Sequence, residues 1–155
     1  MKINFVIAQD DLSDGKIIEL LQAHLNEMQQ YSPPESIHAL DKAAMHSADI
    51  TFWGARYQNQ LIGCGALKQL SPKAGEIKSM KTNPNFLRCG VGASILQHIL
   101  AEATKRTYQS VSLETGTHAA FDPAVSLYLK NGFVESNPFG SYQREPFSRF
   151  YTKQL

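Results

Sequence analysis

The chain has 155 residues, 43% of them hydrophobic and 19% charged, typical of one soluble globular domain large enough to bury a core. No run approaches the roughly 20 apolar residues that a membrane span requires, and the short apolar start turns acidic at Asp10-Asp11, unlike a secretory signal. The formal net charge of +1 is unevenly spread: residues 1–49 carry three Lys/Arg against eight Asp/Glu, and residues 50–155 carry twelve against six. An overall basic, nucleic-acid-binding face is therefore not indicated. The basic part suits a phosphate-bearing ligand and the acidic part a cationic one. The two cysteines, Cys64 and Cys89, have no metal-ligand spacing, and His24, His38, His46 and His98 form no metal-like arrangement. A reduced, cytoplasmic protein without a metal is expected, as a single domain over 1–155.

Residues 2–8 alternate as a strand, with Ile3, Phe5 and Ile7 on one face. Ser13 or Asp14 is placed to cap a helix whose apolar positions are Ile17, Leu21, Leu25 and Met28. The run Tyr31-Ser32-Pro33-Pro34 should end it, and residues 36–47 suit a short second helix. Residues 50–57 and 61–70 read as a hairpin turning at Asn59, followed by a turn over 71–75 and a short strand over 76–82. Asn83-Pro84-Asn85 breaks that strand. Residues 90–106 form an amphipathic helix with Val91, Ile95, Leu96, Ile99, Leu100 and Ala103 on its apolar side. Residues 109–115 are a strand, and Asp122-Pro123 opens a helix that stops at Asn131-Gly132. Residues 133–135 and 149–155 are closing strands. The aromatic stretch from Phe139 to Tyr151 reads best as a closing hairpin packed on the core, with an acceptor-pocket wall or a dimer surface as the competing readings. The order is that of an α/β domain with a mixed sheet.

Chemistry concentrates where the strand at 76–82 runs through Arg88-Cys89-Gly90-Val91-Gly92-Ala93 into a helix. The first amides of a helix lack internal partners and carry the positive end of its dipole, so they bind phosphate. Gly90 and Gly92 leave room for a pyrophosphate, and Arg88 adds charge. The third glycine of a dinucleotide fingerprint and the Gly-Lys-Ser/Thr of a P-loop are both missing.

At this point the chain resembles the GNAT family of N-acetyltransferases. The likeness rests on Met80-Lys81-Thr82 with Arg88-Cys89-Gly90-Val91-Gly92, on Val111-Ser112-Leu113-Glu114, and on Ala124-Val125-Ser126-Leu127-Tyr128 running to Gly132-Phe133. The resemblance implies a mixed, mainly antiparallel sheet of about six or seven strands flanked by about four helices. Its fourth and fifth strands would splay apart. It implies acetyl-CoA as cosubstrate, held by Met80, Lys81, Thr82, Arg88, Cys89, Gly90, Val91, Gly92 and Ala93. The amide of Met80 would polarise the thioester carbonyl. Glu76 would be the general base and Tyr128 the general acid, with Glu114 and His118 as weaker acceptor-binding candidates. The competing reading makes Glu76 a solvent-facing strand carboxylate. The chain departs from the family at Leu87, where Gln or Arg is usual, and at Phe121, where Asn is common. The expected reaction moves an acetyl group to a primary amine of a small molecule in a ternary complex. A protein N-terminus or lysine as acceptor, and a non-catalytic acyl-CoA-binding module, are the alternatives. A homodimer is compatible with the sequence.

Overall fold

The computed structural model describes residues 2–30 and 41–155. The elements in chain order are β1 (Val6–Asp10), α1 (Lys16–Met28), α2 (Lys42–Met45), β2 (Ile50–Tyr57), β3 (Gln60–Ser71), β4 (Ala74–Thr82), α3 (Val91–Lys105), β5 (Ser110–Gly116), α4 (Asp122–Lys130), β6 (Val134–Glu135) and β7 (Ser148–Gln154). Short 3-10 turns at Pro84–Phe86 and Ala119–Phe121 precede α3 and α4. The described strands form one sheet in the order β1-β2-β3-β4-β5-β7-β6. Its neighbours are antiparallel except β4 and β5, which run parallel and are joined through α3. A parallel pair needs such a crossover, because a tight turn can only reverse the chain.

Both faces of the sheet are covered. On one face α1 buries Ile17 and Leu21 against Leu12, Met45, Phe52, Cys64 and Ala66. On the other, α3 buries all six residues of its apolar side, together with Trp53, Ile77, Val111 and Leu113. Burying a side chain such as Ile95 or Ile99 stabilises by roughly 1.5–3 kcal/mol. The alternation Phe52/Trp53 sends one ring to each face, as the period of two in a strand requires.

Three termini differ from the sequence expectation. The first strand starts at Val6 and runs on to Asp10, pairing with β2 from Arg56 to Phe52. Ile3 and Phe5 still pack on the core, but from the segment before the strand. Helix α1 is capped by Gly15 in left-handed conformation (φ 74), and neither Ser13 nor Asp14 takes the cap position. Asp14 instead accepts the Lys16 amide at 3.0 Å and pairs with Arg56 at 2.9 Å. Asp122 is the first residue of α4 and Phe121 its cap, because the preceding 3-10 turn runs straight into the helix. That turn is itself capped by His118, whose Nδ1 accepts the Ala120 amide at 2.9 Å. The Tyr31–Pro34 stop and most of the expected second helix lie outside the described residues. What is described of that helix is α2, capped by Asp41, which accepts the Ala44 amide.

Strand β4 contains a bulge. Cys64 pairs with Lys81 and Ala66 with Lys78, so Gly65 alone faces both Ser79 and Met80. Ser79 takes a left-handed backbone conformation, φ 58, uncommon for a residue with a side chain. Its carbonyl accepts the thiol of Cys64 at 3.3 Å. Gly65 leaves the space that Met80 and α3 fill: a Cβ there would stand 2.6 Å from Met80 Sδ, 2.8 Å from Ile95 Cγ2 and 2.9 Å from Ile99 Cδ1.

On α1, His24 lies on the same face as Leu21, Leu25 and Met28. Its Nδ1 is buried without a hydrogen-bond partner among the described residues. Burial first, and Lys81 second, push the imidazole down to about 4 against an opposing pull from Glu27.

Two stability measurements follow. Gly65→Ala should destabilise by about 1–3 kcal/mol in urea unfolding, since the added methyl overpacks the α3 contact. His24 stays neutral in the fold down to about pH 4, while the ordinary histidine value is 6.5. The unfolded chain therefore takes up a proton first. Stability should fall as pH drops from about 6.5 towards 4, and His24→Leu should flatten that fall in denaturation curves across the window.

Candidate active site

Strands β4 and β5 pair only at Ala74↔Ser110, Gly75↔Val111 and Glu76↔Ser112. Beyond Glu76 each strand continues without the other, and β5 keeps its ladder with β7 on the far side. The wedge between them opens into a cavity of about 270 Å³. Glu76, Ser79 and Met80 line it from β4, Leu113, Glu114 and Gly116 from β5, and Ala124 and Tyr128 from α4. Leu21, His24, Leu25 and Met28 of α1 form a further wall, and Tyr142 and Phe147 reach in from the connection between β6 and β7.

Glu76 is only 3% exposed, so the solvent-facing reading does not hold. The Tyr142 hydroxyl donates to Glu76 Oε2 at 2.7 Å, and Lys78 Nζ stands 3.9 Å from the same oxygen. The Tyr128 ring is buried edge-on to Phe133, with centroids 5.7 Å apart. Burial pushes its phenol up to about 12, so it keeps its proton at neutral pH. Ser148 Oγ donates to Glu114 Oε2 at 2.7 Å. Glu76, Met80, Glu114 and Tyr128 thus share one cavity. His118 does not line it.

The glycine loop lies at the other end of β4. Arg88 and Gly90 both take positive φ, 64 and 81, and Gly90 caps α3 with no side chain bonded to the helix end. The first helical bond runs from Ser94 to Gly90. The amides of Val91, Gly92 and Ala93 precede it and have no carbonyl one turn upstream. A Cβ on Gly92 would sit 3.6 Å from both Leu127 Cδ2 and Thr82 Oγ1, an ordinary contact. Packing alone therefore does not demand glycine there, and its absence of a side chain leaves the helix end open. Arg88 is exposed beside it, and Cys89 Sγ leans on the Leu87 carbonyl at 3.6 Å. This end of α3 can hold an anionic group, and the wedge can hold an extended arm leading from it. Among the described residues no group of three or more His, Cys, Asp or Glu could hold a metal ion. No helix described is long and apolar enough to cross a membrane.

Sequence reasoning did not find two features of the site and ranked a third second. The bulge at Ser79 leaves no mark in the strand's composition. His24 does sit at helical spacing with Leu21, Leu25 and Met28, which is the signal that could have placed it. Tyr142 belongs to the aromatic stretch for which a closing hairpin was the favoured reading. Strand β6 is only two residues long, and the chain over 136–147 is irregular, with Tyr142 and Phe147 as cavity walls.

A sequence model of the Acetyltransferase (GNAT) family matches residues 16–133. The chain is 49% identical over 146 residues to the uncharacterized N-acetyltransferase YsnE of Bacillus subtilis, covering 94% of this chain and 97% of that protein. It is 47% identical over 151 residues to the uncharacterized N-acetyltransferase YedL of Escherichia coli, covering 97% and 95%. Among solved structures, one assigned as an acyl-CoA N-acyltransferase from Klebsiella pneumoniae superposes with a TM-score of 0.79 at 26% identity, covering 97% of both chains. A GNAT acetyltransferase from Elizabethkingia anophelis, solved with acetyl-CoA bound, shares the fold with a TM-score of 0.72 at 19% identity, covering 99% of this chain and 100% of that one. With the parted β4 and β5, the α3 N-terminus free of any side-chain cap and these relatives, the chain belongs to the GNAT family of acetyltransferases.

Proposed function

We propose that this acetyltransferase moves an acetyl group from acetyl-CoA to the primary amine of a small molecule, with Glu76 as general base and Tyr128 as general acid. The observation that carries the reading is that both side chains line the cavity opening where β4 and β5 part. Bound acetyl-CoA supplies an activated acetyl thioester. The amides of Val91, Gly92 and Ala93 hold its pyrophosphate with Arg88 alongside, and Cys89 and Gly90 shape the loop. The backbone of Met80, Lys81 and Thr82 pairs with the pantetheine arm as a further strand would. The Met80 amide donates to the thioester carbonyl oxygen. Exposed Leu87 and the ring of Phe121 add no polar contact, so backbone amides carry most of the binding.

Glu76 removes a proton from the incoming ammonium, directly or through a water, because an amine with pKa near 10 attacks only when deprotonated. Tyr128 donates its proton to the departing sulfur. Burial keeps that phenol protonated until the C–S bond breaks, and the second proton lost from nitrogen as the N–C bond forms restores it, so that thiol and amide leave with Tyr128 neutral. Glu114 attracts the cationic acceptor. Leu21, Leu25, Met28 and Phe147, with a neutral His24, favour an amine on an apolar body. A cavity of about 270 Å³ closed on the α1 side suits a small acceptor better than a polypeptide. His118 contributes through the turn it caps, which leads into the helix bearing Tyr128.

Calorimetric titration with acetyl-CoA should give micromolar binding, and a panel of primary amines should release CoA thiol with at least one member. Failure to bind acetyl-CoA would remove the reading altogether. Glu76→Gln and Tyr128→Phe should each lower kcat by about 100-fold while acetyl-CoA affinity stays within about twofold of wild type. Full activity in either variant would remove that residue from its role.

A further inference from the structure

We infer that Tyr142 is a positioning residue for the reaction: its hydroxyl pins one oxygen of Glu76, leaving the other to take the acceptor's proton. The inference rests on the proposed role of Glu76 as base. It starts from an asymmetry in that carboxylate. Oε2 accepts the Tyr142 hydroxyl at 2.7 Å and faces Lys78 Nζ at 3.9 Å. Oε1 has no hydrogen-bond donor among the described residues, although the side chain lines the cavity. A carboxylate held by one oxygen cannot turn freely, so its second oxygen is presented in a fixed direction. Proton transfer is sensitive to that direction, because acceptor and donor must align within hydrogen-bond reach.

The phenol is itself held by a cluster of rings. Tyr142 packs against Phe139 with centroids 5.1 Å apart and against Phe150 at 5.7 Å, and Phe139 meets Phe150 nearly edge-on at 6.0 Å. Phe150 is on β7 directly across from Glu114 of β5, so the cluster is anchored to the sheet beside the cavity. A turn closed by the Tyr142 amide and the Phe139 carbonyl at 3.1 Å fixes the backbone between two of the rings. Burial, the bond to Glu76, and the charges of Glu76 and Glu114 all hold the phenol proton in place. Tyr142 is thus a donor at neutral pH. Among the described residues, the other charged and titratable groups lining this part of the cavity are Lys78 on β4, Glu114 on β5, Tyr128 on α4 and His24 on α1. Tyr142 is, among the described residues, the uncharged donor within hydrogen-bond distance of Glu76.

A double-mutant cycle on the full chain tests this. Turnover is read as CoA thiol release from acetyl-CoA with the fastest amine of the panel, or with water as acceptor where no amine reacts. Tyr142→Phe keeps the ring contacts and removes only the hydroxyl. It should lower kcat about tenfold or more, with KM for acetyl-CoA within about twofold and a single cooperative unfolding transition whose midpoint drops modestly with the lost bond. In a Glu76→Gln background the same substitution should cost less than about twofold, because the group it positions is gone. Phe139→Leu, which loosens the ring but keeps the hydroxyl, should lower kcat in part and show the same dependence on Glu76. An unchanged kcat in Tyr142→Phe, or an equal loss with and without Glu76, overturns the inference while leaving the base intact. Full activity of Glu76→Gln overturns both.

Discussion

The parallel ladder between β4 and β5 stops at Glu76 and Ser112, three pairs after it starts. Stopping a ladder inside a sheet is costly, because each unpaired backbone amide or carbonyl must find another partner. Beyond that point β5 still has β7 on one side, but the side towards β4 is open. The bulge at Ser79 keeps β4 from following β5, since two residues there face one on β3 and the backbone turns left-handed. Gly65 makes the bulge possible by giving up the volume into which Met80 and two isoleucines of α3 pack. The cavity, the walls that α1 and α4 present to it and the burial of Glu76 all depend on that local break.

The fold was legible in the sequence because hydrophobic period and chain punctuation agreed for nearly every element. All six residues read as the apolar side of α3 are buried, and Asn131-Gly132 ends α4 with Gly132 at φ 90. Termini were harder. Asp and Ser look like helix caps in sequence, yet Asp14 serves Arg56 and Asp122 has been absorbed into α4 by the turn before it. Asp14 meets a local amide with one oxygen and Arg56 with the other, and only the second partner is invisible in one dimension.

The site was half legible for a related reason. Tyr128 lies within the motif that runs from Ala124 to Phe133 and Glu76 lies 14 residues before Gly90, and the structure brings both to one cavity. Tyr142 is 66 residues from the carboxylate it bonds. Neither residue's surroundings mark that pairing, which arises because β7 returns next to β5 and carries the irregular connection with it. The two closing strands pair as expected, but β6 ends after two residues, so the aromatic stretch before Ser148 turns inward as a cavity wall and not as part of that hairpin.

A division of labour follows from where the walls come from. On the proposed function, the cofactor side is built from β4, the start of α3 and α4, all inside residues 16–133 that match the family. The far wall combines α1 with Tyr142 and Phe147, and those two aromatics lie beyond the matched span. Binding a shared nucleotide cosubstrate constrains backbone: amides at a helix end and along a strand edge, with glycine where side chains would intrude. Selecting an acceptor constrains side chains, which can change without disturbing the sheet. Glu76 stands at the junction, rooted in the strand that meets the cosubstrate and held by a phenol from the opposite wall. On the proposed function, a change in the 136–147 connection therefore alters both which amine enters and how well its proton is taken, with the cofactor half left untouched.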